Sequence, residues 1–187
     1  MASSPVPHPA STPATYVEPW LSGSRTETAA AGRAVLHALD LASDDIQKWT
    51  QDLSDDQLNA EPLGLPSIAF HLRHIARSID RILTYAEGGQ LSAEQLALLK
   101  AEKGGPASSR EHLLDELREA FALAEPRVQA LSRANLETPR TVGRKQLPIS
   151  LGGALIHVAD HTQRHTGQVV TTARLLQALA AGKAGAR

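Results

Sequence analysis

The chain has 187 residues, of which 42% are hydrophobic and 21% are charged, and its formal net charge is −1. A chain of this length accommodates one domain with a sizeable core. The near-neutral charge and the lack of a long Lys/Arg block argue against a nucleic-acid partner. Because the chain contains no cysteine, it can form neither a disulfide nor a thiolate metal site, and any metal would have to bind His, Asp or Glu.

The two ends of the chain differ in composition from its middle. Residues 1–19 are rich in Pro, Ser, Thr and Ala and lack both a basic start and an apolar run, so we predict an N-terminal tail and not a signal peptide. The Gly/Ala-rich residues 181–187 are predicted to form a C-terminal tail, which leaves 20–180 for the folded domain. No stretch approaches the roughly 20 apolar residues that a membrane helix requires. We therefore expect a cytoplasmic protein without a membrane partner.

Apolar residues recur at every third or fourth position in four long segments, which is the period of an amphipathic helix. These segments predict helices at roughly 28–53, 67–87, 109–133 and 150–180. Four such helices bury their apolar faces best against one another, so we predict an all-α four-helix bundle.

Shorter signals fill the connections between these helices. Ser67 is a predicted N-cap of the second helix. The sequence Ser92-Ala93-Glu94-Gln95 has the form of a capping box and predicts a short extra helix near 92–100. Residues 138–148 contain two prolines and break the helical period, which predicts an extended or hairpin-like connection. We assign this connection no catalytic role.

Histidines cluster in the last predicted helix. His157, His161 and His165 follow one another at i, i+4 spacing, which places them on adjacent turns of one helix face. A helical wheel puts His161 and His165 within the apolar face and His157 at its edge. The first pair is therefore better placed to share an ion, and neutral imidazole is a good ligand for Zn²⁺, Ni²⁺, Cu²⁺ or Fe²⁺.

A second cluster lies in the second predicted helix, in the sequence His71-Leu72-Arg73-His74. On a wheel His71 lies inside the apolar face and His74 near its border, so periodicity alone favours His71 as a third ligand. Three histidines would leave coordination positions open for water or substrate. The other histidines carry no such signal: His37 and His112 are predicted to be structural, and His8 lies in the tail.

The sequences around both clusters resemble those of the DinB-like superfamily. The resemblance rests on Phe70-His71-Leu72-Arg73-His74-Ile75-Ala76 and on the stretch from His157 to Gln168, and it covers roughly 16–179. It implies a four-helix bundle, commonly dimeric, that binds a divalent metal through one histidine of the second helix and an H-x-x-x-H pair of the fourth. The ligands that it implies are His74, His161 and His165, with His71 and His157 as second-tier ligand or supporting candidates.

The resemblance also implies a cofactor and partners. We expect one divalent ion per chain, with Zn²⁺ or Ni²⁺ preferred and Fe²⁺ or Mn²⁺ as alternatives, and a small-molecule substrate. We also expect a homodimer, and the apolar residues Trp20 and Leu21 beside the tail are candidates for its surface.

Three functions are compatible with such a site. Some relatives transfer or isomerise with a small thiol such as mycothiol, bacillithiol or glutathione, and others are associated with metal-dependent hydrolysis. We prefer an enzyme that activates a small thiol for S-transfer to an electrophile, in detoxification or stress, since a chain without cysteine must import its nucleophile. The alternatives are a metal-dependent hydrolase, with His71 or His157 as general base, and a non-catalytic metal-binding dimer.

No catalytic residue is assigned from the sequence. Tyr85, Arg164 and Gln168 are candidate helpers, but packing, a solvated helix face and interhelical hydrogen bonding explain them more simply. Asp160 could orient an imidazole, although a solvated charge on a helix face explains it more simply.

Overall fold

The computed structural model describes residues 16–104 and 106–185, with side chains as far as residue 182. Its α-helices are α1 (Ala30–Thr50), α2 (Asp55–Asn59), α3 (Ile68–Ala86), α4 (Ala93–Ala101), α5 (Arg110–Leu131) and α6 (Leu151–Gly185). Two short strands, β1 (Pro139–Val142) and β2 (Leu147–Ser150), precede α6. The four long helices and α4 lie close to their predicted positions, which confirms the all-α prediction.

The structure describes part of each predicted tail. Residues 1–15 of the N-terminal tail lie outside the described residues, while Pro19–Leu21 forms one turn of 3-10 helix. At the other end, α6 continues to Gly185 and so includes most of the segment predicted as a tail. Within the described part of the chain, no helix is both long enough and apolar enough to cross a membrane.

The four long helices form a ring in which α1 and α3 each pack against both α5 and α6. One hydrophobic core is shared by all four, and representative side chains that are at most 3% exposed are Ile46, Leu72, Leu117 and Leu155. Because α3 packs directly on α6, the two helices that carry the histidine clusters are neighbours.

Local capping explains where several helices begin. The Ser67 side chain accepts a hydrogen bond from the Phe70 amide at the start of α3, and α4 begins with the predicted capping box of Ser92 and Gln95. The same motif, formed by Ser54 and Gln57, begins the short helix α2, which the sequence analysis missed. Such caps satisfy the amide groups that have no partner in the first helical turn.

The connection between α5 and α6 is an antiparallel hairpin of β1 and β2, in line with the predicted extended or hairpin-like structure. Val142 pairs with Leu147 across the strands, and Gly143 takes a φ of 70° in the turn, a conformation that glycine adopts without strain. Arg140 anchors the hairpin because its Nε donates a hydrogen bond to the Ala86 carbonyl, at 2.6 Å, at the end of α3.

Candidate metal centre

Three histidines from two helices meet at the α3–α6 contact. His74 comes from α3, His161 and His165 come from successive turns of α6, and one ligand atom of each lies within 4.8 Å of the others. The Nε2 atoms of His74 and His161 are 3.2 Å apart. Two imidazole nitrogens bound tetrahedrally to one Zn²⁺ at 2.0–2.1 Å would stand about 3.4 Å apart. The group therefore has both the donor atoms and the spacing that could hold a metal ion.

Each of these histidines has a partner for its second ring nitrogen, which decides which nitrogen remains available. The Nδ1 of His161 lies 3.3 Å from Ser78 Oγ, and that hydroxyl donates its own hydrogen to the Ile75 carbonyl at 3.0 Å. Ser78 therefore accepts a hydrogen bond from His161 Nδ1–H. This tautomer leaves the lone pair on His161 Nε2, the atom that faces His74.

His71 contacts the three-histidine group through His165. Its Nδ1 lies 3.0 Å from the Nδ1 of His165, and its side chain is only 4% exposed. One of the two rings must donate and the other accept, and donation by His165 leaves its Nε2 free to bind an ion. His71 does not belong to the three-histidine group, although periodicity favoured it as the third ligand.

The partner of His74 is a buried carboxylate that sequence reasoning missed. His74 Nδ1 lies 2.8 Å from Glu102 Oε2, and Glu102 Oε1 accepts a hydrogen bond from Arg81 Nη1 at 2.5 Å. Glu102 is 4% exposed. A carboxylate bonded to the outer nitrogen of a metal-binding histidine fixes the orientation and tautomer of the ring and raises its basicity. Glu102 and Arg81 therefore position His74.

Glu102 directly follows α4, and hydrogen bonds fix a segment soon after it to α3. Arg73 Nη2 donates hydrogen bonds to the Pro106 carbonyl and to Ser108 Oγ, both at 2.7 Å. Burial by itself would raise the pKa of Glu102, but the hydrogen bonds from His74 and Arg81 outweigh it and hold the pKa below its ordinary value. Glu102 is therefore an anion at neutral pH.

The electrostatics favour the neutral forms of His71, His161 and His165. Burial, followed by repulsion from neighbouring histidines, lowers the pKa of His71 and of His161 to about 4. Burial, with His74 and Arg164 as the next causes, does the same for His165. Neutral imidazole is the form that binds a metal ion, so His161 and His165 resist competition from protons in mildly acidic solution.

The free energy of unfolding of the metal-free protein is expected to fall as the pH drops from about 6.5 to about 4. A histidine in the unfolded chain has a pKa of about 6.5. Between these two pH values the unfolded state therefore binds protons that the folded state does not bind. For buried His71 the slope is up to about 1.4 kcal/mol per pH unit. Urea unfolding with a chelator at several pH values measures it. His71→Leu should flatten the curve, whereas the same slope in this variant and in the wild type would contradict the expectation.

A cavity of about 650 Å³ lies beside the cluster, with His74 and His161 in its lining. His157 also lines it, as a half-exposed ring whose Nδ1 lies 2.8 Å from Asp160 Oδ1. The hairpin, to which we assigned no catalytic role, contributes three side chains to the wall: Val142, Leu147 and Ile149.

The remaining sequence candidates divide between the cavity and the surface. Tyr85 lines the cavity, whereas Arg164 and Gln168 are exposed residues outside its lining. His37 is buried against Ser24 Oγ at 3.2 Å, as expected of a structural histidine.

A helical bundle in which α3 and α6 bring three histidines together, as a possible metal site, is the arrangement that the sequence resemblance implied. The chain belongs to the DinB superfamily, whose family model matches residues 38–169. The matched range contains the three histidines and Glu102. No curated protein matches the chain significantly.

Proposed function

We propose that the protein is a divalent-metal-dependent enzyme that activates a small thiol for transfer to an electrophilic small molecule. The observation that carries the proposal is the group of His74, His161 and His165 beside a cavity of about 650 Å³, whose lining includes His74 and His161. Pockets of this size bind small organic molecules. Three protein ligands leave an ion coordination positions that a substrate can reach.

The ligand set would consist of the Nε2 atoms of these three histidines, with Zn²⁺ or Ni²⁺ preferred over Fe²⁺ or Mn²⁺ because neutral imidazole suits the first two. A bound divalent ion would lower the pKa of a coordinated thiol and so favour the nucleophilic form at neutral pH. The chain has no cysteine, so the thiol has to be a separate small molecule.

His157 is the residue that we infer accepts the proton. Its Nδ1 is bonded to Asp160, which leaves Nε2 as the acceptor, and its ring lines the cavity next to His161. In a transfer to an organic halide, the thiol loses its proton to His157 and its sulfur forms a bond to the substrate carbon. The carbon–halogen bond breaks at the same carbon, and the halide leaves with the electron pair.

A metal-dependent hydrolase is the second candidate, and the same pair of His157 and Asp160 favours it. An imidazole held by a carboxylate can accept a proton from water as readily as from a thiol. His71, the other base candidate, is less suitable because it is buried and bonded to His165. A ligand set closed by His71 or His157 would favour a non-catalytic metal-binding dimer, but both residues lie outside the three-histidine group.

Thiol conjugation tests the proposal. Metal-loaded protein is incubated with mycothiol, bacillithiol or glutathione and a chloronitrobenzene, and the expected result is conjugation that His165→Ala reduces by at least about 100-fold. His112→Ala is the matched control, since His112 is an exposed histidine of α5 outside the group. Ester cleavage that depends on His165, with no turnover of any thiol, would favour the hydrolase. Absence of both reactions would favour the metal-binding protein.

We also propose a cellular location, domain bounds and an oligomeric state for the enzyme. We infer a cytoplasmic protein that acts on small molecules, in which residues 20–180 form the bundle domain. We also infer a homodimer, supported by Trp20 and Leu21, whose side chains are 62% and 58% exposed. Sedimentation velocity that finds only monomer at micromolar concentration would exclude the dimer.

A further inference from the structure

The cavity beside the histidine cluster has an apolar wall that metal binding does not require. Six aliphatic side chains form it: Ile82, Leu91, Leu99, Val142, Leu147 and Ile149. They come from α3, the α3–α4 connection, α4 and both strands of the hairpin. Residues far apart in the sequence thus converge on one apolar surface, in a cavity that His161 also lines.

The polar groups of the cavity do not offer a site for a charged ligand. No Asp or Glu is among the described residues that line it, and its one guanidinium, Arg81, donates to the buried Glu102. His157 is bonded to Asp160. Within the described residues the hydroxyl of Tyr85 makes no hydrogen bond to the protein, so it and the Nε2 of His157 are neutral polar groups available to a ligand. A charge placed against the aliphatic wall would lose its hydration without a new partner.

The wall is partly exposed, and hydrogen bonds hold its hairpin in place. Leu99 is 40% exposed and Leu147 is 57% exposed, both on the cavity side of the molecule. Arg140 ties the hairpin to the end of α3, and the Leu151 amide donates to the Thr138 carbonyl at 2.9 Å. An apolar group that covers this wall gains binding free energy in proportion to the area removed from water, and the wall does not have to be assembled first.

We propose that this cavity binds the alkyl or aryl group of an uncharged substrate, with the reacting carbon directed towards His161 and His74. The substrate class is therefore a hydrophobic electrophile such as an aryl halide or an alkyl or aryl epoxide, as opposed to a polar sugar or a charged metabolite such as a nucleotide. The identity of the reacting carbon rests on the proposed function. The preference for an apolar group requires only the cavity and its hairpin wall.

Binding of N-phenyl-1-naphthylamine, an uncharged dye that fluoresces in apolar surroundings, tests the proposal with the full-length chain. We expect saturable binding at one site per chain, with or without a chelator. Neutral n-alkanols should compete, with affinity rising about fourfold for each added methylene group. The matched variants are Leu147→Asp, in the cavity wall, and Ile156→Asp, at a 65% exposed position of α6 outside the lining.

Leu147→Asp should weaken dye binding by about tenfold or more, since it places an unpaired carboxylate in the apolar wall, and Ile156→Asp should leave it unchanged. Both positions are exposed, so neither variant should unfold the protein, and circular dichroism checks this. Absence of dye binding to the wild type, or equal binding to both variants, would overturn the proposal. Because the dye needs no metal, these outcomes are separate from a failure of the conjugation assay, which would overturn only the proposed function.

Discussion

Replacing His161 with alanine is expected to weaken the binding of Zn²⁺ or Ni²⁺ by more than about 100-fold. Loss of a residue that merely hydrogen-bonds to a metal ligand costs 10–100-fold in affinity, and loss of one of three ligands should cost more. His161 is the residue to change because its Nε2 lies 3.2 Å from that of His74 and its Nδ1 is held by Ser78. Metal analysis and competition with a chromophoric chelator measure stoichiometry and affinity in the wild type, where we expect about one ion per chain.

His157→Ala is the matched control for this experiment. His157 lies one turn before His161 on the same helix, but it is outside the three-histidine group and half exposed. This variant should bind metal like the wild type. If His157→Ala loses the ion while His161→Ala keeps it, the ligand assignment is wrong, and if both variants keep full affinity the site lies elsewhere.

Replacing Glu102 with alanine is expected to lower both stability and metal affinity. The variant leaves Arg81, which is 8% exposed, without its carboxylate partner. Breaking a buried ion pair from one side costs about 3–5 kcal/mol, measurable by urea unfolding. The metal affinity should fall by about 10–100-fold in addition, because His74 loses the hydrogen bond that orients its ring.

A double variant separates the loss of stability from the loss of metal affinity. In Glu102→Gln with Arg81→Met, the unpaired buried charge is absent, so most of the lost stability should return. The metal affinity should stay low, because a neutral amide is a weaker acceptor for His74 Nδ1–H than a carboxylate. Recovery of both properties together would mean that Glu102 acts on the site only through the fold, and not by positioning His74.

Much of the bundle follows from local sequence. The period of the apolar residues gives the long helices, and the Ser92–Gln95 capping box gives α4, because both signals act within a few residues along the chain. The closeness of His161 and His165 follows in the same way, since helical geometry alone puts residues four apart on adjacent turns.

The choice between His71 and His74 depends on contacts between helices that the helical period does not describe. The helical wheel correctly placed His71 in the interior, where it is 4% exposed. Burial, however, does not decide whether a histidine belongs to the three-histidine group. His74, at the border of the apolar face, is the one whose Nε2 meets His161, and the family resemblance had implied it. A wheel records how each residue faces the core as a whole, and it carries no information about which side chain of α6 lies opposite.

Only the tertiary structure decided the surroundings of the three histidines. Glu102 lies 28 residues from His74 in the sequence, and no periodic signal relates the two positions. Their contact depends on the path of the α4–α5 connection, which Arg73 fixes to α3 through Pro106 and Ser108. The hairpin wall likewise depends on the contact of Arg140 with the end of α3. Helix period and capping are properties of neighbouring residues, whereas these contacts arise only when the helices pack and distant segments are held against them.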